Sequence, residues 1–264
     1  LNNALEKIIS YKADEIAALK VDRSMSDFLN DARTQSPPRG FVKRLSDISA
    51  RDENALICEM KRKSPSAGEI LPGANPTDIA GDYEQGGAAC LSVLTDYPSF
   101  GGTLADFRAI RNAVNLPMLR KDFMIDPIQV AEARANGADA ILVILACTDD
   151  ALAGDLIATA QDLNMDVLVE THNRAELDRA LALPAHLIGI NNRDLTKMTT
   201  DLKTTEQLAG HIGDDRLMVS ESGISSAADI TRLRRTGARC FLIGESLMKQ
   251  SDRVSACATL RTAR

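Results

Sequence analysis

From Ala55 onward, short runs of apolar and β-branched residues alternate with stretches whose apolar positions recur at helical spacing. The runs are ALICEM at 55–60, CLSVLT at 90–95, PMLRK at 117–121, AILVIL at 140–145, DVLVE at 166–170, LIGIN at 187–191, LMVSE at 217–221 and CFLIG at 240–244. Continuous apolar runs of this length are what strands buried on both faces require. Helical patterns lie between them at 76–85, 104–113, 127–135, 151–163, 175–183, 204–209 and 227–235, several closing on a glycine such as Gly86, Gly137 or Gly237. Eight strands, each followed by a helix, in roughly 210 residues predict a closed (β/α)8 TIM barrel. An open doubly wound sheet is the runner-up, but no G-x-G-x-x-G follows the first run, where a dinucleotide-binding sheet would need it.

Residues 1–50 read differently. Leu5, Ile8, Ile9, Ile16 and Leu19 fall at helical spacing, then Ser36-Pro37-Pro38-Arg39-Gly40 interrupts, and a short helical run follows. We read 1–50 as an N-terminal helical extension and 51–264 as one catalytic barrel domain. With 44% hydrophobic and 26% charged residues, the chain has the balance of a single globular domain with a sizeable core. Its net charge of −6 is the wrong sign for holding nucleic acid or an anionic membrane by bulk electrostatics, so an anionic ligand must be caught locally. The longest apolar run, 140–147, is too short to span a bilayer, and no secretory pattern opens the chain; a cytoplasmic location is expected. Cys58, Cys90, Cys147, Cys240 and Cys257 lie scattered in mostly apolar stretches with no C-x-x-C, and read as reduced core thiols.

Charge recurs at one place in the repeat. Glu59 and Lys61 close the first run, Lys121 the third, Glu170 the fifth, Asn191 and Arg193 the sixth and Glu221 the seventh. In a barrel these are C-terminal strand ends, where active sites sit, and the two-residue period puts Glu59 with Lys61, and Asn191 with Arg193, on shared faces. Any one alone is readily a solvated strand end. As a set they gather two ammonium groups, a guanidinium and several carboxylates in one mouth, which suits acid–base chemistry on an anionic substrate. Glu221-Ser222-Gly223-Ile224-Ser225 after the seventh run and Gly244-Glu245-Ser246-Leu247 after the eighth occupy the usual phosphate-binding position of such barrels, where backbone N–H groups hold the dianion. His172, His186 and His211 are scattered, so no metal site is expected. Asp139, Asp166 and His186 precede their runs and belong on the opposite rim, where residues serve stability.

The run Ile57-Cys58-Glu59-Met60-Lys61-Arg62-Lys63-Ser64-Pro65-Ser66 resembles the first-strand signature of the indole-3-glycerol phosphate synthase family. Segments 88–96, 119–123, 168–170, 189–195, 220–224 and 243–248 resemble the same family in order. The resemblance implies closure of the indole ring of 1-(2-carboxyphenylamino)-1-deoxyribulose 5-phosphate, with release of carbon dioxide and water, on the route to tryptophan. It implies no cofactor, a small phosphosugar substrate and no obligatory protein partner. It makes Lys121 the main general acid and Glu170 the acid–base group for dehydration, with Lys61 beside them; which lysine acts at which step stays open. Glu59 and Asn191 would orient Lys61 and the substrate, while Arg193, Glu221 and Ser222 complete the polar mouth. Phe100 and Phe123 would form the apolar slot, and Gly223, Gly244 and Glu245 would take the phosphate, with Ser64 and Lys61 nearby. The extension, including 38–41, resembles helices that cover the barrel mouth. Clustered cations are expected to lower the lysine pKa values.

Two places depart from the family pattern: the loop at 97–102, and Thr171-His172 after Glu170, where a branched apolar residue is commoner, a departure expected to tune Glu170. A related phosphosugar barrel such as phosphoribosylanthranilate isomerase would share the phosphate loops without needing Glu59, Lys61, Lys121 and Glu170 together. A non-catalytic phosphate-ligand barrel would keep the glycines and tolerate loss of the acids and bases.

Overall fold

The computed structural model describes residues 3–195 and 197–264. Three helices come first: α1 (Asn3–Asp22), α2 (Met25–Thr34) and α3 (Phe41–Ser49). Strand β1 (Ala55–Met60) follows, then a small antiparallel hairpin of β2 (Lys63–Ser64) and β3 (Gly68–Glu69), then α4 (Pro76–Gln85). The alternation continues through β4 (Cys90–Leu94), α5 (Tyr97–Phe100), α6 (Leu104–Ala113), β5 (Met118–Lys121), α7 (Pro127–Ala135), β6 (Ala140–Ile144) and α8 (Asp150–Asp162). It ends with β7 (Asp166–Thr171), α9 (Arg174–Ala182), β8 (Leu187–Asn191), α10 (Lys203–Leu208), β9 (Leu217–Glu221), α11 (Ala227–Arg234), β10 (Cys240–Ile243), α12 (Glu245–Met248) and α13 (Arg253–Thr262).

β1 and β4–β10 pair in parallel, and the ring closes where β1 lies between β4 and β10. The chain is a (β/α)8 barrel, and each barrel strand starts and ends within one residue of its predicted run. The helix starts are equally legible because their caps are written in the sequence. Thr103 with Asp106, Asp126 with Gln129 and Ser226 with Asp229 each close a reciprocal capping box.

Alternation along the strands sorts residues into two cores. Leu56, Cys58 and Met60 of β1, Ile141 and Val143 of β6, and Phe241 and Ile243 of β10 point outward to the helices. Ala55, Ile57, Leu142, Leu168, Leu187, Val219, Cys240 and Leu242 point inward. The inward set is apolar near the strand starts and turns charged at the strand ends, where Glu59, Lys121, Glu170, Asn191 and Glu221 take over the same alternating positions. All five cysteines are free thiols; Cys147 is half-buried and the others buried.

The N-terminal helices serve both ends of the barrel. Leu5 and Ile8 on α1 reach the mouth, and further along Ile16 packs with Phe28 of α2 against Ile128 and Ala131 of α7. α3 lies at the far end. Its Phe41, Leu45 and Ile48 join the inner core beside the strand starts. Asp139 accepts the Arg39 backbone N–H at 2.8 Å and Asp166 that of Val42 at 2.8 Å, pinning the entry to α3 on the N-terminal rim. The segment 38–41, expected over the mouth, is therefore at the opposite end. Its helical pattern is apolar on one face, and that face plugs the barrel floor. Among the described residues no helix is long and apolar enough to cross a membrane.

Candidate active site

A cavity of about 490 Å³ opens at the C-terminal ends of the strands. Its walls include Glu59, Lys61, Ser64, Phe100, Lys121, Phe123, Glu170, Asn191, Arg193, Ser222, Gly223, Gly244 and Glu245, so the structure brings together residues from across the whole chain. Glu221 is placed differently: it is fully buried behind Lys121 and does not line the cavity surface.

Register explains the gathering. Glu59 is level with Ser92, Glu170 with Gly189, and Asn191 with Glu221. Gly189 in β8 and Gly244 just after β10 make room for the acids: a Cβ on Gly189 would lie 2.2 Å from Glu221 Oε1, and one on Gly244 would lie 2.6 Å from Glu59 Oε1. Glycine is thus required there by close approach.

The charged groups share one network. Glu59 bridges the two lysines, with Oε1 at 2.8 Å from Lys61 Nζ and Oε2 at 2.9 Å from Lys121 Nζ. Lys121 Nζ also donates to Glu221 Oε2 at 3.2 Å. Asn191 Nδ2 donates to Glu170 Oε1 at 3.1 Å. Burial works to protonate Glu59, but the ammonium groups of Lys121 and Lys61 outweigh it and hold the carboxyl at about 2. Burial likewise works against a charged Lys121, yet Glu59, Glu221 and Glu170 raise it above the ordinary lysine range. The expected lowering of the lysine pKa is therefore reversed for Lys121, because its nearest neighbours are carboxylates rather than cations. Burial pushes Glu221 up, beyond what Lys121 offsets, and the nearby Glu170 adds to the rise. Glu170 goes the other way: its burial is outweighed by His172, Lys121 and Asn191.

Around this network the cavity divides by chemistry. Phe100 and Phe123 face each other with ring centroids 6.3 Å apart, and with Leu5, Ile8, Leu94 and Leu142 they offer an apolar side. Ser222 and Gly223 adopt consecutive left-handed conformations, φ 65° and 81°, and turn the chain after β9 back toward the cavity. Asn192 holds that turn by donating from Nδ2 to the carbonyls of Glu221 and Ser222 at 2.9 and 3.1 Å. Arg193 donates to Ser66 Oγ and so ties the loop after β8 to the hairpin loop after β1. Among the described residues no group of His, Cys, Asp and Glu is placed to hold a metal ion.

The sequence does not single out Asn192, Ser66 or Leu142 as parts of the site. Leu5 and Ile8 belong to the extension that the family resemblance places over the mouth, and they line the cavity there, although their helical spacing alone does not say which surface they cover. Asn192 is level with the site in sequence but points sideways into the barrel wall.

Fold and mouth together define a (β/α)8 barrel whose acids, ammonium groups and phosphate-type loops converge at the C-terminal strand ends, the place where enzymes of this fold keep their active sites. A family model described as indole-3-glycerol phosphate synthase matches residues 5–260. The indole-3-glycerol phosphate synthase of Hyphomonas neptunium is 64% identical over 250 residues, covering 95% of this chain and 94% of its own. That of Azospirillum brasilense is 47% identical over 260 residues, covering 98% and 99%. Among solved structures, a 3-hexulose-6-phosphate synthase is similar with a TM-score of 0.62 at 17% identity, over 79% of this chain and 99% of its own, a likeness of fold alone. The chain belongs to the indole-3-glycerol phosphate synthase family, whose members are carboxy-lyases.

Proposed function

We propose that this chain closes the indole ring of 1-(2-carboxyphenylamino)-1-deoxyribulose 5-phosphate, releasing carbon dioxide and water to give indole-3-glycerol phosphate. The observation that carries this reading is the placement of Lys121: a half-buried ammonium, kept charged by Glu59 and Glu221, at the wall of a cavity with an apolar side and a glycine-turn side. A phosphosugar bearing an aromatic acid needs those two sides and an acid between them.

Lys121 donates its proton to the ketose oxygen as the aromatic carbon attacks the carbonyl carbon. The carbon–carboxylate bond then breaks, its electron pair restoring the aromatic ring. In the dehydration, the Glu170 carboxylate takes the proton from carbon, while a lysine, Lys61 or Lys121, protonates the leaving hydroxyl. Glu59 holds both lysines in place. Asn191 fixes one oxygen of Glu170, and Glu221 sets the position of Lys121 from behind. Phe100 and Phe123 flank the aromatic ring; Arg193, Ser64 and Ser222 line the polar edge; Lys61 and the backbone of Gly223, Gly244 and Glu245 take the phosphate. In this reading 51–264 is the one catalytic domain and 1–50 its extension.

The test is indole fluorescence after adding the substrate to purified protein, which has no Trp to give background. A rise with time that disappears in Lys121→Ala is expected. Saturable binding without any rise would move the function to an isomerase or a ligand-binding subunit.

A further inference from the structure

Glu170 is gripped by more than the proposed reaction uses. His172, just beyond the end of β7, has a largely buried side chain, with Nε2 at 3.1 Å from Glu170 Oε1, an ion-pair contact without hydrogen-bond alignment. Its Nδ1 lies 2.9 Å from Glu176 Oε2 on the first turn of α9, and its backbone N–H donates to the same oxygen at 2.8 Å. Glu176 is itself fixed: Oε1 accepts from Asn173 Nδ2 at 2.7 Å, and its backbone N–H donates to Asn173 Oδ1 at 3.0 Å, the helix cap. The imidazole therefore lies between two carboxylates, hydrogen-bonded through Nδ1 to Glu176 and in ion-pair contact through Nε2 with Glu170. A neutral ring offers the pair no charge, whereas an imidazolium faces both acids with a positive one.

The charge count around Glu170 gives this clamp a consequence. Glu59, Glu170 and Glu221 are three buried carboxyls: Lys61 pairs with Glu59, Lys121 with Glu59 and Glu221, and the cation paired with Glu170 is His172. Burial, with Glu170 nearby, raises Glu221, whereas His172, Lys121 and Asn191 lower Glu170 against its burial. Glu221 Oε1 is buried without a hydrogen-bond partner, and its Oε2 accepts from Lys121. Glu170 has instead a cation and an amide, His172 and Asn191, both beside Oε1.

We propose that His172, steadied by Glu176, is a positioning residue for Glu170: it fixes the Oε1 side of the carboxylate and keeps the proton of the Glu170–Glu221 pair on Glu221. The proposal rests on the reading of Glu170 as the base of the dehydration. The groups facing the imidazole and its partner are Glu170 from β7, Glu176 from α9, Asn191 from β8, Lys121 from β5, Glu221 from β9 and the Cys147 thiol after β6. With both acids beside it, His172 is raised against its burial to about 10. It therefore stays charged through neutral pH.

The direct test needs no turnover. In protein with labelled histidine and glutamate, the His172 ring is expected to remain doubly protonated from about pH 6 to about pH 9, and the Glu170 carboxyl carbon to report an ionised group. In His172→Gln and in Glu176→Gln the Glu170 signal shifts toward the protonated form at neutral pH. Turnover adds a second readout: kcat falls about tenfold or more in His172→Gln, KM stays within about twofold, and the acid limb of the kcat profile moves to higher pH. Glu176→Gln moves the limb the same way by less, and serves alone if His172→Gln does not fold. A His172 ring that titrates near its ordinary value, or an unmoved Glu170 signal and acid limb in well-folded variants, overturns the proposal. A wild-type chain that shows the charged ring but no indole fluorescence overturns the proposed function while the clamp on Glu170 stands.

Discussion

The two ends of the barrel use the same buried ion pairs to opposite effect. At the N-terminal end, Asp139 accepts the Arg39 N–H on Oδ1, and both the Arg111 guanidinium at 2.6 Å and the Met118 N–H at 2.7 Å on Oδ2. It is fully buried and so provided for that it has no remaining task. At the mouth, Glu59 and Glu221 share two lysines between them, Glu170 pairs with His172, and Glu221 Oε1 has no hydrogen-bond partner. A buried acid held by backbone N–H groups and a guanidinium is a structural joint. An acid held by a neighbour's movable ammonium is placed to exchange protons.

Removing one partner at each end separates these roles. Lys121→Ala is expected to lower kcat by roughly 10³- to 10⁴-fold, the scale of a lost general acid, with a smaller loss of thermal stability than at the other end, because Glu59 keeps Lys61 and the shortened side chain opens Glu221 to the cavity. Asp139→Ala strands the Arg111 charge and two backbone N–H groups away from water. It is expected to cost about 3–5 kcal/mol, read as a fall in Tm on the order of 10 °C, with kcat of the folded enzyme within about twofold of wild type. A large loss of kcat in Asp139→Ala at a temperature where it is folded would break the comparison.

Much of that division is written in the sequence, and the part that is not has physical reasons. Strand ends were legible because inward and outward faces are both buried, so the first charged residue on an inward position, as at Glu59, Lys121 or Glu170, marks the end of the core. Helix starts were legible through caps such as Thr103 and Ser226. The destination of α3 was not, since Phe41, Leu45 and Ile48 make the same stripe whichever end of the barrel they plug. The sign of the Lys121 shift was misread for a related reason. The sequence lists cations and acids along the rim, but only the register decides that Lys121 meets Glu59 and Glu221 rather than Lys61. His172 was noticeable as a departure after Glu170, yet its pairing with Glu176 depends on how β7 turns into α9.

A smaller effect follows from Glu59, which the two lysines lower from an ordinary 4.5 to about 2. A depressed carboxyl stabilises the fold above the unfolded value, and that contribution is lost as pH falls from about 4.5 through about 2. The urea midpoints of wild type and Glu59→Gln are expected to differ by a constant amount from about pH 7 down to about pH 5, then converge in acid. Midpoints that stay parallel into acid would show that Glu59 contributes by packing rather than by charge, which would make the mouth resemble the N-terminal rim.

The smallest expected effect concerns the joint between α1 and the mouth. Tyr11 donates to Asp96 Oδ1 at 2.9 Å and shares a hydrogen bond with Ser99 Oγ at 2.9 Å, next to Lys12, whose Nζ lies 2.9 Å from both Asp96 and Asp122. These contacts are built like those of the N-terminal rim, with acids saturated by fixed partners, yet they hold the helix that presents Leu5 and Ile8 to the cavity. Tyr11→Phe removes one hydroxyl and leaves the Lys12 ion pairs, so a loss of about 1 kcal/mol in the docking of α1 is expected. Because Leu5 and Ile8 line the apolar side of the cavity, the loss should appear as a rise in KM of up to about fivefold with kcat unchanged. A fall in kcat with KM unchanged would mean that α1 acts on the charged network itself, and that structural joints and proton-exchanging groups are not as separate at the mouth as the two ends of the barrel imply.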